Sequence, residues 1–144
     1  MQHLLVFLSG KQARIALTYV IALLMVGAGI THFVNTPFFV SIMPPWIPLH
    51  EWMVWLSGVA EIVIGILLAI PKTRKLGSWA LIALLIAVFP ANIHMALNDI
   101  QPAGVTEPVP AWVAWGRLPL QFVFIGIAWW IGRDTKPDTK KKAS

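Results

Sequence analysis

The sequence predicts an all-α membrane protein, a four-helix bundle made of two helical hairpins. Apolar residues make up 58% of the 144 residues and charged residues only 12%, which is about half the charged fraction of a soluble domain. Four apolar segments hold 19 to 22 residues each, and a helix needs roughly 20 residues to cross a bilayer. Strands of a membrane β-barrel would be about half that length. The four segments are 15–34, 52–70, 76–97 and 111–131.

The same composition excludes several classes of protein. Eleven basic and six acidic side chains cannot cover a soluble globule of this size, which excludes a soluble enzyme, and the apolar content excludes a disordered chain. The sequence contains no cysteine, so disulfides, thiolate metal sites and iron–sulfur clusters within the chain are ruled out. The net charge of +5 does not indicate nucleic-acid binding, because the cations lie beside the apolar segments and suit anionic lipid headgroups.

The distribution of Lys and Arg predicts the orientation of the chain in the membrane. Ten of the eleven flank the segment ends of one side, whereas the connections 35–51 and 98–110 contain none. Because cytoplasmic loops carry the excess of Lys and Arg, we expect both termini in the cytoplasm and a location in the bacterial inner membrane. Residues 1–14 then form an interfacial N-terminal segment, and residues 132–144 form a basic cytoplasmic tail. The eleventh cation, Arg117, falls inside the fourth segment.

The outer connection 35–51 is too apolar for a plain solvated loop. It contains four prolines, which argue against a regular helix there: Pro37, Pro44, Pro45 and Pro48. We expect this connection to lie across the outer mouth of the bundle, either as a cover or as an interfacial anchor without a gating role.

An internal repeat is indicated by a shift of 60 positions between the second and fourth segments. The shift matches Trp52 with Trp112, Trp55 with Trp115, and Glu61 with Gln121, while the two histidines His32 and His94 are 62 residues apart. The chain therefore reads as two copies of a hairpin that both begin on the inside. Parallel repeats of this kind place ligand sites at the interface between the copies.

The candidate site consists of polar side chains in the outer half of the four segments. A charged group at mid-bilayer costs about 2.5–3.5 kcal/mol and is seldom retained without a partner or a purpose. Glu61 and Gln121 each follow an outer tryptophan by nine residues, roughly 13 Å of helix. We expect a ligand-binding pocket lined by His32, Glu61, His94, Arg117 and Gln121. Asn92 is a weaker candidate, because it is two residues from His94 and the two side chains would point to nearly opposite sides of a helix.

Each of these residues also has a structural interpretation. Glu61 either handles protons or a ligand, or forms a hydrogen bond that fixes helix packing; beside Arg117 it would ionise and form a buried pair. Arg117 is shallow enough to extend its guanidinium to the membrane surface instead. The two histidines are shallow enough to be interfacial. Gly58 and Gly65 share a stripe with Glu61, where small residues would let a neighbouring helix approach closely.

The residue types of the pocket favour some cofactors over others. Two histidines on different helices could ligate haem, or join Glu61 in a metal site, but no haem-attachment motif or HExxH spacing supports either, so we expect no metal site. A quinone head needs hydrogen-bond donors for its carbonyl groups and a titratable group for its protons, which His, Arg and Glu in an apolar cavity provide. Another small polar or anionic ligand would suit the same residues.

Several short motifs resemble those of the DoxX family of bacterial membrane proteins. They are Gly29-Ile30-Thr31-His32-Phe33, the step Glu61-x-x-x-Gly65, and the stretches VFPANIHMAL and GRLPLQ, the last two being most similar to a largely uncharacterised branch. The likeness covers roughly residues 15–131. It implies a four-helix fold with a cytoplasmic N-terminus. It also implies a link to respiratory or sulfur redox chemistry, since a related subunit belongs to a thiosulfate:quinone oxidoreductase.

Three functional hypotheses follow. The first is an accessory or quinone-interacting subunit of a membrane redox system, whose partners are the lipid bilayer, a quinone or another membrane or periplasmic redox subunit. The second is a small-molecule or proton-coupled carrier built from the two hairpins. The third is a non-catalytic assembly or structural protein whose polar residues only fix helix packing. The sequence leaves open whether the protein is an enzyme.

Overall fold

The structure is a computed structural model that describes residues 10–133. In this range the chain forms five α-helices and no β-strand. They are α1 (Gly10–Val34), α2 (Thr36–Ser41), α3 (His50–Ala69), α4 (Arg74–Leu97) and α5 (Ala111–Arg133). All except the short α2 are long and apolar enough to cross a membrane. The protein is therefore an all-α integral membrane protein with four membrane helices, as predicted. Residues 1–9 of the expected interfacial segment and 134–144 of the expected tail lie outside the described residues.

The membrane helices extend beyond the apolar segments at their basic ends. The described part of α1 begins at Gly10 and α4 begins at Arg74, so that Lys11, Arg14 and Lys75 are all helical. Lys and Arg are good helix formers, and their long side chains keep the charge in water while the backbone continues into the membrane. Residues 10–14, which the sequence analysis assigned to the interfacial segment, are thus part of α1.

The order of the helices brings both ends of the described chain to the same face of the bundle. The most extensive contacts join α1 to α3 and α4 to α5, and α3 packs against α4 between them. The Arg14 guanidinium lies 5.7 Å from the ring centroid of Trp130, which places the start of α1 beside the end of α5. We call this face the basic end and the opposite face, which carries the two longer connections, the loop end.

Two separate clusters of buried apolar side chains form the core. The cluster nearer the basic end joins all four membrane helices and contains Ile21, Ala22, Ile64, Leu68, Leu81, Ala128 and Ile131. The cluster at the loop end contains Ile42, Met95, Ala96 and Ala114. The helices are thus closely packed at the basic end, while the connection after α2 completes the packing at the loop end.

Glycines set the close approach of α1 and α3. A methyl group added at Gly65 would lie 2.7 Å from the carbonyl oxygen of Ala22, and one added at Gly58 would lie 2.8 Å from Cβ of His32. On α1, a methyl group at Gly29 would lie 2.6 Å from the carbonyl oxygen of Gly58. The predicted role of Gly58 and Gly65 is therefore confirmed, since only a hydrogen atom fits at these contacts.

The connection between α1 and α3 contains a helix that the sequence analysis did not expect. The prediction of no regular helix is wrong for Thr36–Ser41, because Pro37 occupies the first turn of α2, where its missing N–H is not needed. Beyond α2, Ile42 packs on the ends of α4 and α5, and the Ala103 amide donates to Ser41 Oγ at 3.0 Å. The connection therefore lies across the loop end of the bundle, as predicted.

Replacing Gly65 with alanine should destabilise the protein by about 1–3 kcal/mol, the usual cost of forcing an extra methyl group into a packed contact. Gly126→Ala is the matched control, because an added methyl group there meets no atom within 4 Å. Since alanine favours a helix over glycine, that control should be neutral or slightly stabilised. Unfolding temperatures of the two purified variants in one detergent test this, and equal changes would refute the packing role of Gly65.

Candidate functional site

A cavity of about 490 Å³ lies between the two hairpins, close to the loop end. Ligand pockets in proteins commonly measure roughly 300–1,000 Å³. The wall is mostly apolar, with five side chains that carry polar groups. These are His32 from α1, Ser57 and Glu61 from α3, Asn92 from α4 and Arg117 from α5, and the connection after α1 closes the cavity with Phe39, Ile42, Met43 and Ile47.

The shortest contact between titratable groups in the cavity joins His32 to Glu61. His32 Nδ1 lies 3.3 Å from Glu61 Oε2 and 2.9 Å from the carbonyl oxygen of Ala28. A carbonyl oxygen only accepts, so the hydrogen is on Nδ1 and points along α1 towards Ala28. Glu61 Oε2 is consequently buried without a hydrogen-bond partner among residues 10–133, in spite of its short distance to the imidazole.

The imidazole of His32 is held in place by an aromatic ring from α2. The ring centroids of His32 and Phe39 are 3.8 Å apart, with an angle of 17° between the planes, which is a stacked arrangement. Phe38 contacts Phe39 edge-on at 5.1 Å. No sequence pattern indicated this contact, because the prolines of the connection argued against the short helix that carries both phenylalanines.

Arg117 brings a cation to the cavity wall without a carboxylate partner. Its Nη1 donates to the sulfur of Met95 at 3.5 Å, a weak acceptor. Across the described part of the chain, Arg117 takes part in no ion pair, and the buried pair with Glu61 that the sequence suggested is not formed. A guanidinium has five N–H donors in a planar fork, so Arg117 retains donors that suit a carbonyl or an anionic group.

Asn92 and Gln121 connect α4 to α5. Asn92 Nδ2 donates to Gln121 Oε1 at 3.0 Å, and Gln121 Nε2 donates to the carbonyl oxygen of Leu85. Asn92 reaches the cavity wall, whereas the buried Gln121 does not line it. The hydrogen bonds of Gln121 therefore join α5 to α4. Through its bond to Asn92, the Gln121 amide also holds the Asn92 side chain in position at the cavity wall.

His94 lies apart from the other predicted site residues. It does not line the cavity, and its Nδ1 accepts a hydrogen bond of 3.1 Å from Asn98 Nδ2 at the end of α4. The two-residue spacing sends Asn92 and His94 to different sides of the helix. No group of three His, Asp or Glu side chains within residues 10–133 is placed to hold a metal ion.

Ser57 is a cavity residue that the sequence analysis missed. It precedes Glu61 by four residues, so both side chains lie on the same face of α3. That spacing could have identified it, since Ser57 is polar and belongs to the same predicted membrane segment. With Ser57 included, α3 supplies a hydroxyl and a carboxyl group on adjacent turns of one wall.

The hydrogen bond between Asn92 and Gln121 should contribute to folding stability. Asn92→Ala and Gln121→Ala, measured singly and together, should give a coupling energy of about 0.6 kcal/mol and at most about 2 kcal/mol, the range of such bonds between membrane helices. Glu107→Ala, in an exposed loop, combined with Gln121→Ala is the control and should show no coupling. Additive effects of Asn92→Ala and Gln121→Ala would argue against this connection between α4 and α5.

Comparison with known proteins places the chain in a family. Searches of curated proteins and of solved structures gave no match. Residues 21–132 match the family described as a domain of unknown function, DUF8561. The match extends from the middle of α1 to the end of α5 and includes every residue that lines the cavity. Because it covers more than half of the sequence, this chain belongs to the DUF8561 family.

Proposed function

We propose that the cavity binds the head of a quinone and that the protein is a quinone-interacting or accessory subunit of a membrane redox system. The observation that carries this proposal is the unpartnered Glu61 Oε2, buried at the wall of a cavity that also presents Arg117. A buried polar group left without a hydrogen bond costs about 1–3 kcal/mol. A glutamate that only fixed helix packing would be expected to have both carboxyl oxygens hydrogen-bonded within the protein.

The chemistry of the wall suits a quinone ring and its reduced form. The guanidinium of Arg117 donates to a carbonyl oxygen, and a carboxyl group at Glu61 exchanges protons with the quinone and quinol pair. The apolar remainder of the wall, which includes Ala60, Leu84 and Val88, accepts the faces of the ring. A metal-free and haem-free mode of binding is part of this proposal.

The resemblance to the DoxX family supports the same proposal from the sequence. The motifs around His32, Glu61 and Asn92 belong to that resemblance, and these three residues line the cavity. We therefore propose that the protein is a DoxX-like protein of the bacterial inner membrane, with a membrane or periplasmic redox protein as its partner.

Quinone binding should raise the unfolding temperature of the purified protein. A ligand at a hundredfold excess over its Kd stabilises a folded protein by about 2.7 kcal/mol. Thermal unfolding in detergent with ubiquinone and menaquinone analogues, oxidised and reduced, measures the effect. We expect Arg117→Met to weaken binding of the oxidised form about tenfold, the loss of roughly one good hydrogen bond to a charged group. We expect Glu61→Gln to weaken binding of the reduced form more than that of the oxidised form.

Two matched controls keep this experiment specific to the cavity. Glu107→Gln and Lys72→Met alter exposed residues outside the cavity wall and should leave the stabilisation unchanged. No shift of the wild-type protein with any quinone would overturn the proposal. If Glu61→Gln and Arg117→Met bound as well as the wild type, the binding site would have to lie elsewhere.

The loop end faces the periplasm in this proposal. Within residues 10–133, six of the seven Lys and Arg residues lie near the basic end and only Arg117 lies towards the loop end. Alkaline phosphatase, which is active only outside the cytoplasm, should be active when fused after Val105 and inactive when fused after Arg133. The reverse pattern would show that the orientation is inverted and that the cavity lies near the cytoplasmic face.

A further inference from the structure

The cavity is a fissure between two helix faces. α3 contributes Met53, Leu56, Ser57 and Ala60, and α4 contributes Leu84, Ala87, Val88 and Ala91. Each set follows the spacing i, i+3, i+4, i+7, which is one face of a helix. Several of these side chains are small, so α3 and α4 leave a gap where they face each other. Apart from Ser57, the polar residues of the cavity lie outside these two sets: His32, Glu61, Asn92 and Arg117.

The fissure is open on the flank of the bundle. Leu56 of α3 lines the cavity and is nevertheless 63% exposed, and Ala87 of α4 lines it and is also exposed. Ala87 precedes the last residue of α4, Leu97, by ten positions, roughly 15 Å of helix. This exposed part of the wall is therefore at the level of the hydrocarbon, where the flank of the bundle contacts lipid chains.

A ligand that entered the cavity from the loop end would have a less direct path. Phe39, Ile42, Met43 and Ile47 belong to the connection that lies over the cavity. Ile42 is buried against α4 and α5, and the two long connections are joined by the hydrogen bond from Ala103 to Ser41. An aqueous ligand would have to displace these contacts, whereas a molecule dissolved in the bilayer reaches the opening beside Leu56 and Ala87 directly.

We propose that the opening between α3 and α4 is a lateral portal, through which a chain-bearing quinone slides from the bilayer with its ring towards Glu61 and Arg117. The proposal rests on the quinone function proposed above and adds the route and the ligand class, a polar ring with one long prenyl or alkyl chain. The ring fills the cavity, and the chain leaves between Leu56 and Ala87 and remains among the lipids. A chain gains little by moving from lipid to protein, so the portal selects by shape and not by affinity for the chain.

Filling the portal tests the route. Ala87→Phe places a ring in the opening and should weaken binding of decylubiquinone at least tenfold, because a seated head then has no exit for its chain. The same quinone ring without a chain needs no exit, and its affinity should change less than twofold. Dissociation constants from quinone-dependent thermal unfolding in detergent give both values. Ala16→Phe, at an exposed site of α1 outside the cavity wall, is the matched control and should affect neither ligand.

Leu56→Trp narrows the opening from α3 and provides an independent variant in case Ala87→Phe does not fold. Retained binding of the chainless ring shows that a variant is folded and that its head site is intact. Equal affinity of both ligands for the portal variants and the wild type would overturn the lateral route, and so would loss of both ligands from a variant with an unchanged unfolding temperature. Failure of the wild type to bind the chainless ring and decylubiquinone would instead refute the proposed function itself.

Discussion

The close approach of α1 and α3 is the constraint on which the cavity depends. At Gly29, Gly58 and Gly65 the backbone of one helix lies where a side chain of the other would otherwise be. In a bilayer, apolar side chains gain little by leaving lipid, so van der Waals contact of this kind is a main source of helix association. The contact at Gly58 touches Cβ of His32 and is one turn away from Glu61. Hence the same packing that holds the first hairpin together brings an imidazole to a carboxyl group.

The cavity exists because the contacts within each hairpin, α1 with α3 and α4 with α5, are more extensive than the contact of α3 with α4 between the hairpins. α3 and α4 are held together near the basic end by the apolar cluster around Leu68 and Leu81. Nearer the loop end, the facing side chains are too small to fill the space between the two helices. The connection that follows α1 then covers the gap, with Phe39 stacked on His32. Helix packing, cover and polar wall therefore form one structural unit, in which a change at a glycine contact would also displace the groups that face a ligand.

Part of the site could be predicted because polar side chains within a membrane segment cost free energy and are easy to recognise in an apolar sequence. That cost singled out Glu61, Arg117 and His32, which the structure brings to one cavity. It also singled out His94 and Gln121, which do not line the cavity. His94 accepts a hydrogen bond from Asn98, and Gln121 bonds to Asn92 and to the carbonyl oxygen of Leu85. All five residues were selected because they lie in the outer half of the membrane, and depth alone does not distinguish between them. Only the rotation of each helix about its axis separates a residue that faces the cavity from one that faces a neighbouring helix.

The sequence by itself determined that the chain is helical, that it crosses the membrane four times and which polar groups are carried to which depth. These properties follow from local composition and from the requirement that the backbone satisfy its own hydrogen bonds in hydrocarbon. Tertiary structure alone decided that Glu61 meets His32 and not Arg117, that Asn92 and Gln121 join α4 to α5, and that Thr36–Ser41 form a helix over the cavity. Such contacts depend on helix rotation and on approach within a few ångströms, which arise from packing between segments distant in sequence and leave no local pattern.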